Sequence, residues 1–267
     1  MNHLDIRALH TMEEFDSVCR LFADIWGTQP GGAPVSAEVM CALAHAGNYV
    51  AGAYADGRLT GASVAFYGEP AGTTLHSHIT GATPGHGAGL ALKQHQRQWA
   101  LDRGLKRITW TYDPLIRRNA HFNLTKLGAR PEEYLRSFYG AMDDAINGGD
   151  ESDRLLAAWD LCAPQPAPGH AGITLPAGTA HAVVDRGGHP ELRSTDAEFV
   201  LVDLPDDIEA LRRTDPAAAH AWRLAVRHTL GELLDGGARV LGCHDRRGYL
   251  VHRAPTPSAP QPFGSNQ

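Results

Sequence analysis

Residues 85–89 read Gly85-His86-Gly87-Ala88-Gly89, between an extended stretch, Thr73 to Ala82, and the start of an amphipathic helix. A strand that reaches a helix through so glycine-rich a turn leaves several backbone N–H groups unpartnered at the helix start. Those amides, with the positive end of the helix dipole, favour a bound anion such as phosphate. Any fold for this chain must therefore keep strand, turn and helix consecutive.

The chain has 267 residues, 43% hydrophobic and 20% charged, as in an ordinary globular protein with room for one large domain or two small ones. Its net charge of −6 argues against non-specific nucleic-acid binding, which needs a basic face. Lys93, Arg97, Arg103, Lys106, Arg107, Arg117, Arg118, Lys126 and Arg130 do crowd one region. That crowding fits a solvated surface or a phosphate-rich ligand equally. Cys19, Cys41, Cys162 and Cys243 are far apart and form no CxxC motif, which reads as free or buried thiols and a cytoplasmic location. No apolar run is long enough for a membrane span, so no membrane partner is expected. His76 and His78 form the one close histidine pair and lack an evident third ligand, so no metal is expected.

Thr11-Met12-Glu13-Glu14 is a capping box before an apolar helical stripe, Phe15, Val18, Phe22 and Ile25. A Gly/Pro-rich break at 27–34 ends that helix, and Ser36 caps a second one to about Ala46. Strands follow at about 48–54 and 59–67, joined by the hairpin signal Asp56-Gly57. The third strand is Thr73 to Ala82. A helix then runs from about Ala88 to Arg103, where Gly104 stops it. Ile108, Trp110 and Tyr112 alternate on the next strand, and Asn119 is placed to cap a helix carrying Ala120, Leu124 and Leu127. Phe138 to Met142 and Arg154 to Leu161 read as strands, and Pro164 to Gly169 as a linker or long loop. Further strands fall near 180–184 and 198–204. A long helix has Asp215 as cap, Pro216 at its first position and Gly236 past its end. Arg239 to Cys243 and Gly248 to Arg253 make a terminal hairpin, and residues 254–267 read as a disordered tail.

Over about residues 5–160 the order helix, helix, antiparallel strands, glycine turn, helix, strand, helix resembles the GNAT superfamily of acyl-CoA-dependent N-acyltransferases. The strings Leu75-His76-Ser77-His78, Ala91-Leu92-Lys93, Ile108 to Leu115, Asn119 to Asn123 and Lys126 to Ala129 are similar to a subgroup of predicted acetyltransferases, some associated with N-acylamino-acid racemases. The resemblance implies an α+β fold: a central mixed, mostly antiparallel sheet flanked by helices, with an α/β C-terminal extension. It implies a GNAT-like acyl-CoA-binding domain at 1–163 and a C-terminal α/β subdomain at 164–253. The implied activity is transfer of an acetyl or succinyl group to the amine of a small molecule, an amino acid among the candidates. Acetyl-CoA or another acyl-CoA such as succinyl-CoA would be the co-substrate, and a homodimer is left open. Cofactor binding would fall to Ile79, Thr80 and Gly81 on the strand, Gly85, His86, Gly87, Ala88 and Gly89 in the turn, and Asn119.

Two positions depart from the family pattern. Pro84 stands where the turn usually begins with Gln or Arg, and proline has no N–H to give. Leu124 stands where many members carry the tyrosine that protonates the leaving thiolate. Acyl transfer needs a deprotonated amine, a stabilised oxyanion and a protonated thiolate. His78 and His76 are the candidate bases, or else hydrogen-bonded structural histidines, with Glu69 a weaker one. Tyr139, Tyr112 and Tyr134 are candidate acids or packing tyrosines. Asp113 closes its loop by an Asx turn or touches substrate. Arg117 and Arg118 are plain surface charges, or meet a CoA phosphate or a substrate carboxylate. The alternative is a catalytically silent GNAT-fold module that binds a ligand or partner without turnover.

Overall fold

The computed structural model describes residues 4–27, 34–140, 151–167 and 172–253. The first sheet has seven strands in the order β1-β2-β3-β4-β5-β7-β6. These are β1 (Leu4–Ala8), β2 (Tyr49–Ala55), β3 (Arg58–Gly68), β4 (Thr74–Ala82), β5 (Arg107–Tyr112), β6 (Arg130–Leu135) and β7 (Arg154–Asp160). All neighbours are antiparallel except β4 and β5, which lie parallel. The β2–β3 turn works as its sequence dictates. Asp56 at φ 49° and Gly57 at φ 76° both take the left-handed conformation that two-residue hairpins require.

Helices cover both faces of this sheet. On one side lie α1 (Met12–Trp26) and α2 (Ala37–His45). The capping box forms: Glu14 N–H donates to Thr11 Oγ1 at 3.3 Å, and Thr11 N–H donates to Glu14 Oε2 at 3.1 Å. Phe15, Val18 and Phe22 of α1 and Met40 of α2 are fully buried against Val50, Ala62 and Val64. On the other side lies α3 (Ala88–Leu101), which buries Ala88, Leu92, Lys93, Gln96 and Ala100. After β5 the chain turns into α4 (Arg117–His121) and a π-helical turn, Phe122–Lys126.

The second sheet has five strands in the order β11-β12-β10-β8-β9: β8 (Ala180–Arg186), β9 (His189–Leu192), β10 (Phe199–Asp203), β11 (Arg239–His244) and β12 (Gly248–His252). Helices α5 (Ile208–Thr214) and α6 (Pro216–Val226) follow β10, and α6 continues through a π-helical turn into α7 (Glu232–Asp235). Asp215 caps α6, with Pro216 in its first turn, as the sequence indicates. One apolar cluster runs through both sheets, from Leu75, Leu92 and Ile108 to Val183, Val202 and Trp222. The α+β class and the mostly antiparallel first sheet are as expected.

Three readings need correction. Asn119 is not a helix cap, because α4 starts earlier, with Ile116 at the cap position. Residues Arg136 to Tyr139 form a turn with Ser137 at φ 46°, not the start of a strand, and Met142 lies outside the described residues. The strand that pairs with β7 is β6, whose Pro131 and two glutamates mask it in the sequence; an edge position tolerates that proline. The expected tail at 254–267 also lies outside the described residues. Among the described residues no helix is long and apolar enough to cross a membrane.

Candidate active site

Strands β4 and β5 pair over only three positions: Thr74 with Arg107, Leu75 with Ile108 and His76 with Thr109. Beyond these the strands separate, while β4 stays bonded to β3 up to Ala82 and β5 to β7 up to Tyr112. Each strand thus presents an unpaired backbone edge to the gap. The gap holds a cavity of about 200 Å³ lined by Ser77, His78, Thr80 and Ala82 of β4, Trp110, Thr111 and Tyr112 of β5, Gly89 and Lys93 of α3, and Asn119, Phe122 and Asn123 beyond β5.

A bulge in β4 shapes this wall. Val64 of β3 pairs with Ile79 but Ala65 pairs with Ser77, so His78 is the extra residue. An extra residue bends its strand and leaves a backbone group without a ladder partner. Ser77 and Thr80 turn toward α3, where Thr80 Oγ1 lies 2.8 Å from Ser63 Oγ. His78 and Ile79 turn the other way. Ile79 packs into the α1/α2 cluster, and the His78 ring lies 5.9 Å from that of Phe66.

The two histidines are not equivalent. His76 sits in the paired part of β4, with Nδ1 3.1 Å from Thr109 Oγ1, and it does not line the cavity. His78 does. Burial lowers the pKa of both; His78 and Lys93 lower that of His76 further, while a contact with the Pro34 backbone partly opposes the shift at His78.

Gly89, the last residue of the glycine turn, lines the same cavity. Gly85 at φ 98° and Gly87 at φ 68° adopt conformations costly for other residues, and Gly87 starts α3 with no side-chain cap. The first amides of α3 are therefore free for an anion. Around Gly85, Gly87 and Gly89 there is open space, whereas Ala88 is buried in the core. Gly81 is packed too: a Cβ there would lie 2.6 Å from the Trp26 ring. Tyr139 stands at the rim, exposed, with its hydroxyl 3.4 Å from Thr111 Oγ1 and its N–H donating to Ser152 Oγ at 2.7 Å.

Lys93 is the residue the sequence reading missed. It counted there as one cation among nine, yet it is 5% exposed and its side chain reaches the cavity from α3. Its Nζ donates to Ser77 Oγ at 2.8 Å and to Gln96 Oε1 at 3.4 Å, and lies 4.1 Å from the Trp110 ring centroid. Burial pushes its pKa down to about 7. The helical spacing of Leu92, Lys93, Gln96 and Ala100 was the available signal, since it sets Lys93 on the buried stripe. Asn123 is buried at the cavity wall. The π-helical turn that includes it closes with Leu127 N–H donating to Phe122 O at 3.1 Å.

Other candidates have structural duties. Asp113 forms its Asx turn, with Leu115 N–H donating to Oδ1 at 2.9 Å. It also accepts from Arg212 at 2.7 Å and from Arg223 at 2.9 Å, so it faces the second sheet's helices rather than the cavity. Arg117 pairs with Asp206 and Arg118 with Glu209, so neither guanidinium is held for a phosphate. Tyr134 donates to Asp153 at 2.7 Å, and Leu124 is buried in the core. Glu69 accepts from Ala71 N–H at 3.1 Å in the β3–β4 connection. Among the described residues no group of three His, Cys, Asp or Glu side chains is placed to hold a metal ion.

Solved structures with a similar backbone course include acetyltransferases. An acetyltransferase of the GNAT family from Streptococcus pneumoniae is 15% identical, with a TM-score of 0.46 over 58% of this chain and 98% of that one. An aminoglycoside 6′-N-acetyltransferase from Enterococcus faecium is 16% identical, with a TM-score of 0.45 over 61% and 99%. An N-acetyltransferase from Staphylococcus aureus is 13% identical, with a TM-score of 0.48 over 60% and 99%. No protein-family model matches the chain. No curated protein matches it either.

Proposed function

We propose that this chain is an acyl-CoA-dependent N-acyltransferase that moves an acetyl or succinyl group to the amine of a small molecule, amino acids among the candidates. The observation that carries this reading is the separation of β4 from β5 beyond His76 and Thr109. It sets an unpaired strand edge and a glycine turn along one cavity. The unpaired edge of β4 from Ser77 to Gly81 offers backbone groups to an extended amide-bearing arm. The amides of Gly85, His86, Gly87, Ala88 and Gly89 offer donors to a diphosphate. Asn119 and Asn123 present carboxamides from the opposite wall.

The donor would supply an acyl group already activated as a thioester. In this reading His78 takes the proton from the incoming amine; burial lowers its pKa and so favours the neutral ring that a base needs. The bulge at His78 supplies the backbone donor for the oxyanion. Tyr139, at the rim beside Thr111, is the proposed proton donor to the thiolate. A cytoplasmic location, the absence of nucleic-acid, membrane and metal partners, and a homodimer belong to the same proposal.

The test is a thermal-shift titration with acetyl-CoA, succinyl-CoA and CoA, followed by thiol release over a panel of amines. Stabilisation by CoA compounds together with amine-dependent thiol release supports the reading. No stabilisation at millimolar concentration overturns it. Stabilisation without thiol release from any amine favours the silent binding module, which Leu124 in the core already recommends: no tyrosine reaches the cavity from that position.

A further inference from the structure

We propose that Lys93 is an acyl acceptor, and that the chain acylates its own Lys93 Nζ from an acyl-CoA thioester when no amine substrate occupies the cleft. The inference rests on the acyl-CoA reading and adds to it a site of covalent modification.

Lys93 enters the cavity from α3, just where β4 and β5 part. Its amine contacts Ser77 and Trp110, each the residue directly after the last paired position of its strand. All its contacts there are neutral: a hydroxyl, a carboxamide and an aromatic face. Among the described residues no carboxylate pairs with it. A buried ammonium without a counter-charge is costly, so the free base is favoured, consistent with a pKa near 7. A neutral primary amine beside a thioester site is a nucleophile held at high effective concentration.

The step balances without any further reactant. The Nζ lone pair attacks the thioester carbonyl carbon and a C–N bond forms. The C–S bond breaks, and CoA leaves as thiolate. The proton shed by nitrogen passes to that sulfur, giving an Nε-acyl-lysine and CoA thiol. The resulting amide is no longer basic and fills part of a cavity of about 200 Å³, so the modified chain binds acyl-CoA more weakly.

The sequence provides internal controls, because it has only three lysines, and Lys106 and Lys126 are exposed. The full chain is incubated with acetyl-CoA at neutral pH without added amine, and lysine acetylation is mapped by peptide mass spectrometry. Binding of CoA, which carries no acyl group, is followed in parallel by thermal shift. The expected result is acetylation of Lys93 on the order of tenfold faster than of Lys106 or Lys126, whose exposed amines are not held beside the cleft. Excess CoA should suppress it, and Lys93→Arg and Lys93→Met should abolish it. If CoA stabilises the chain but Lys93 stays unmodified, or labels no faster than the exposed lysines, this inference falls while the acyl-CoA reading stands. If CoA gives no shift and Lys93 no label, both fall. Mapping on the unmutated chain decides the matter even if a Lys93 variant fails to fold.

Discussion

At the residue scale, His78 and Asp113 make opposite predictions. A base must be neutral to accept a proton, and burial lowers the His78 midpoint. Thiol release should therefore hold at neutral pH and decline only below about pH 6.5, the ordinary histidine value. His78→Gln should lower the rate by about 10²–10⁴-fold and remove that acid limb, read from the pH profile of thiol release. Asp113 instead affects stability. Its arginine partners hold its carboxyl well below the usual carboxylate range despite burial. A depressed folded-state pKa contributes stability fully present above about pH 3.9 and lost as pH falls toward the folded value. Asp113→Ala removes the buried carboxylate that Arg212 and Arg223 share and should cost about 3–5 kcal/mol in urea unfolding at neutral pH. His78 was legible in the sequence, but Lys93 was not. A lysine on a helix reads as solvent-facing unless the apolar stripe around it is followed closely.

At the element scale, the start of α3 offers a test in which two effects have opposite signs. Gly89 has open space around it and follows the helix cap. An aspartate there complements the helix dipole and should stabilise the unliganded chain by about 0.3–1 kcal/mol. The same charge should repel a diphosphate. Gly89→Asp is thus expected to raise the melting temperature while abolishing the shift given by CoA; a variant that still binds CoA normally would remove the turn from the site. Gly81→Ala probes the other end of β4. The added methyl meets the Trp26 ring, and overpacking should cost about 1–3 kcal/mol in denaturant unfolding. Elements with strong local signals were legible: the capping box of α1, the Asp56-Gly57 hairpin and the proline-started α6. Those decided by distant partners were not. β1 is a five-residue edge strand with three exposed positions, and β6 spends a proline and two glutamates on an edge. The bulge at His78 has no local marker, because it follows from how β3 and β4 must register.

At the scale of the whole molecule, we propose a division into an acyl-CoA-binding unit at 1–163 and a subdomain at 164–253, joined by more than the chain. Arg212 and Arg223 grip Asp113, Arg227 pairs with Asp153, and Tyr249 donates to Pro114 O at 2.8 Å. The apolar cluster is continuous across both sheets. Full-length protein should therefore unfold in one cooperative transition. Residues 1–163 alone should show a lower denaturation midpoint or no native transition, as calorimetry and near-ultraviolet circular dichroism would report. The break in regular structure at 164–167 was legible from its prolines. The coupling was not, because nothing local marks Asp113 for partners so far downstream. That distance matters during synthesis. Arg223 follows Asp113 by 110 positions, so the carboxylate at the end of β5 leaves the ribosome long before its guanidiniums exist. The nascent strand end must wait, incompletely anchored, until Arg212 and Arg223 have been made, and the mouth of the cleft can set only when α5 and α6 arrive.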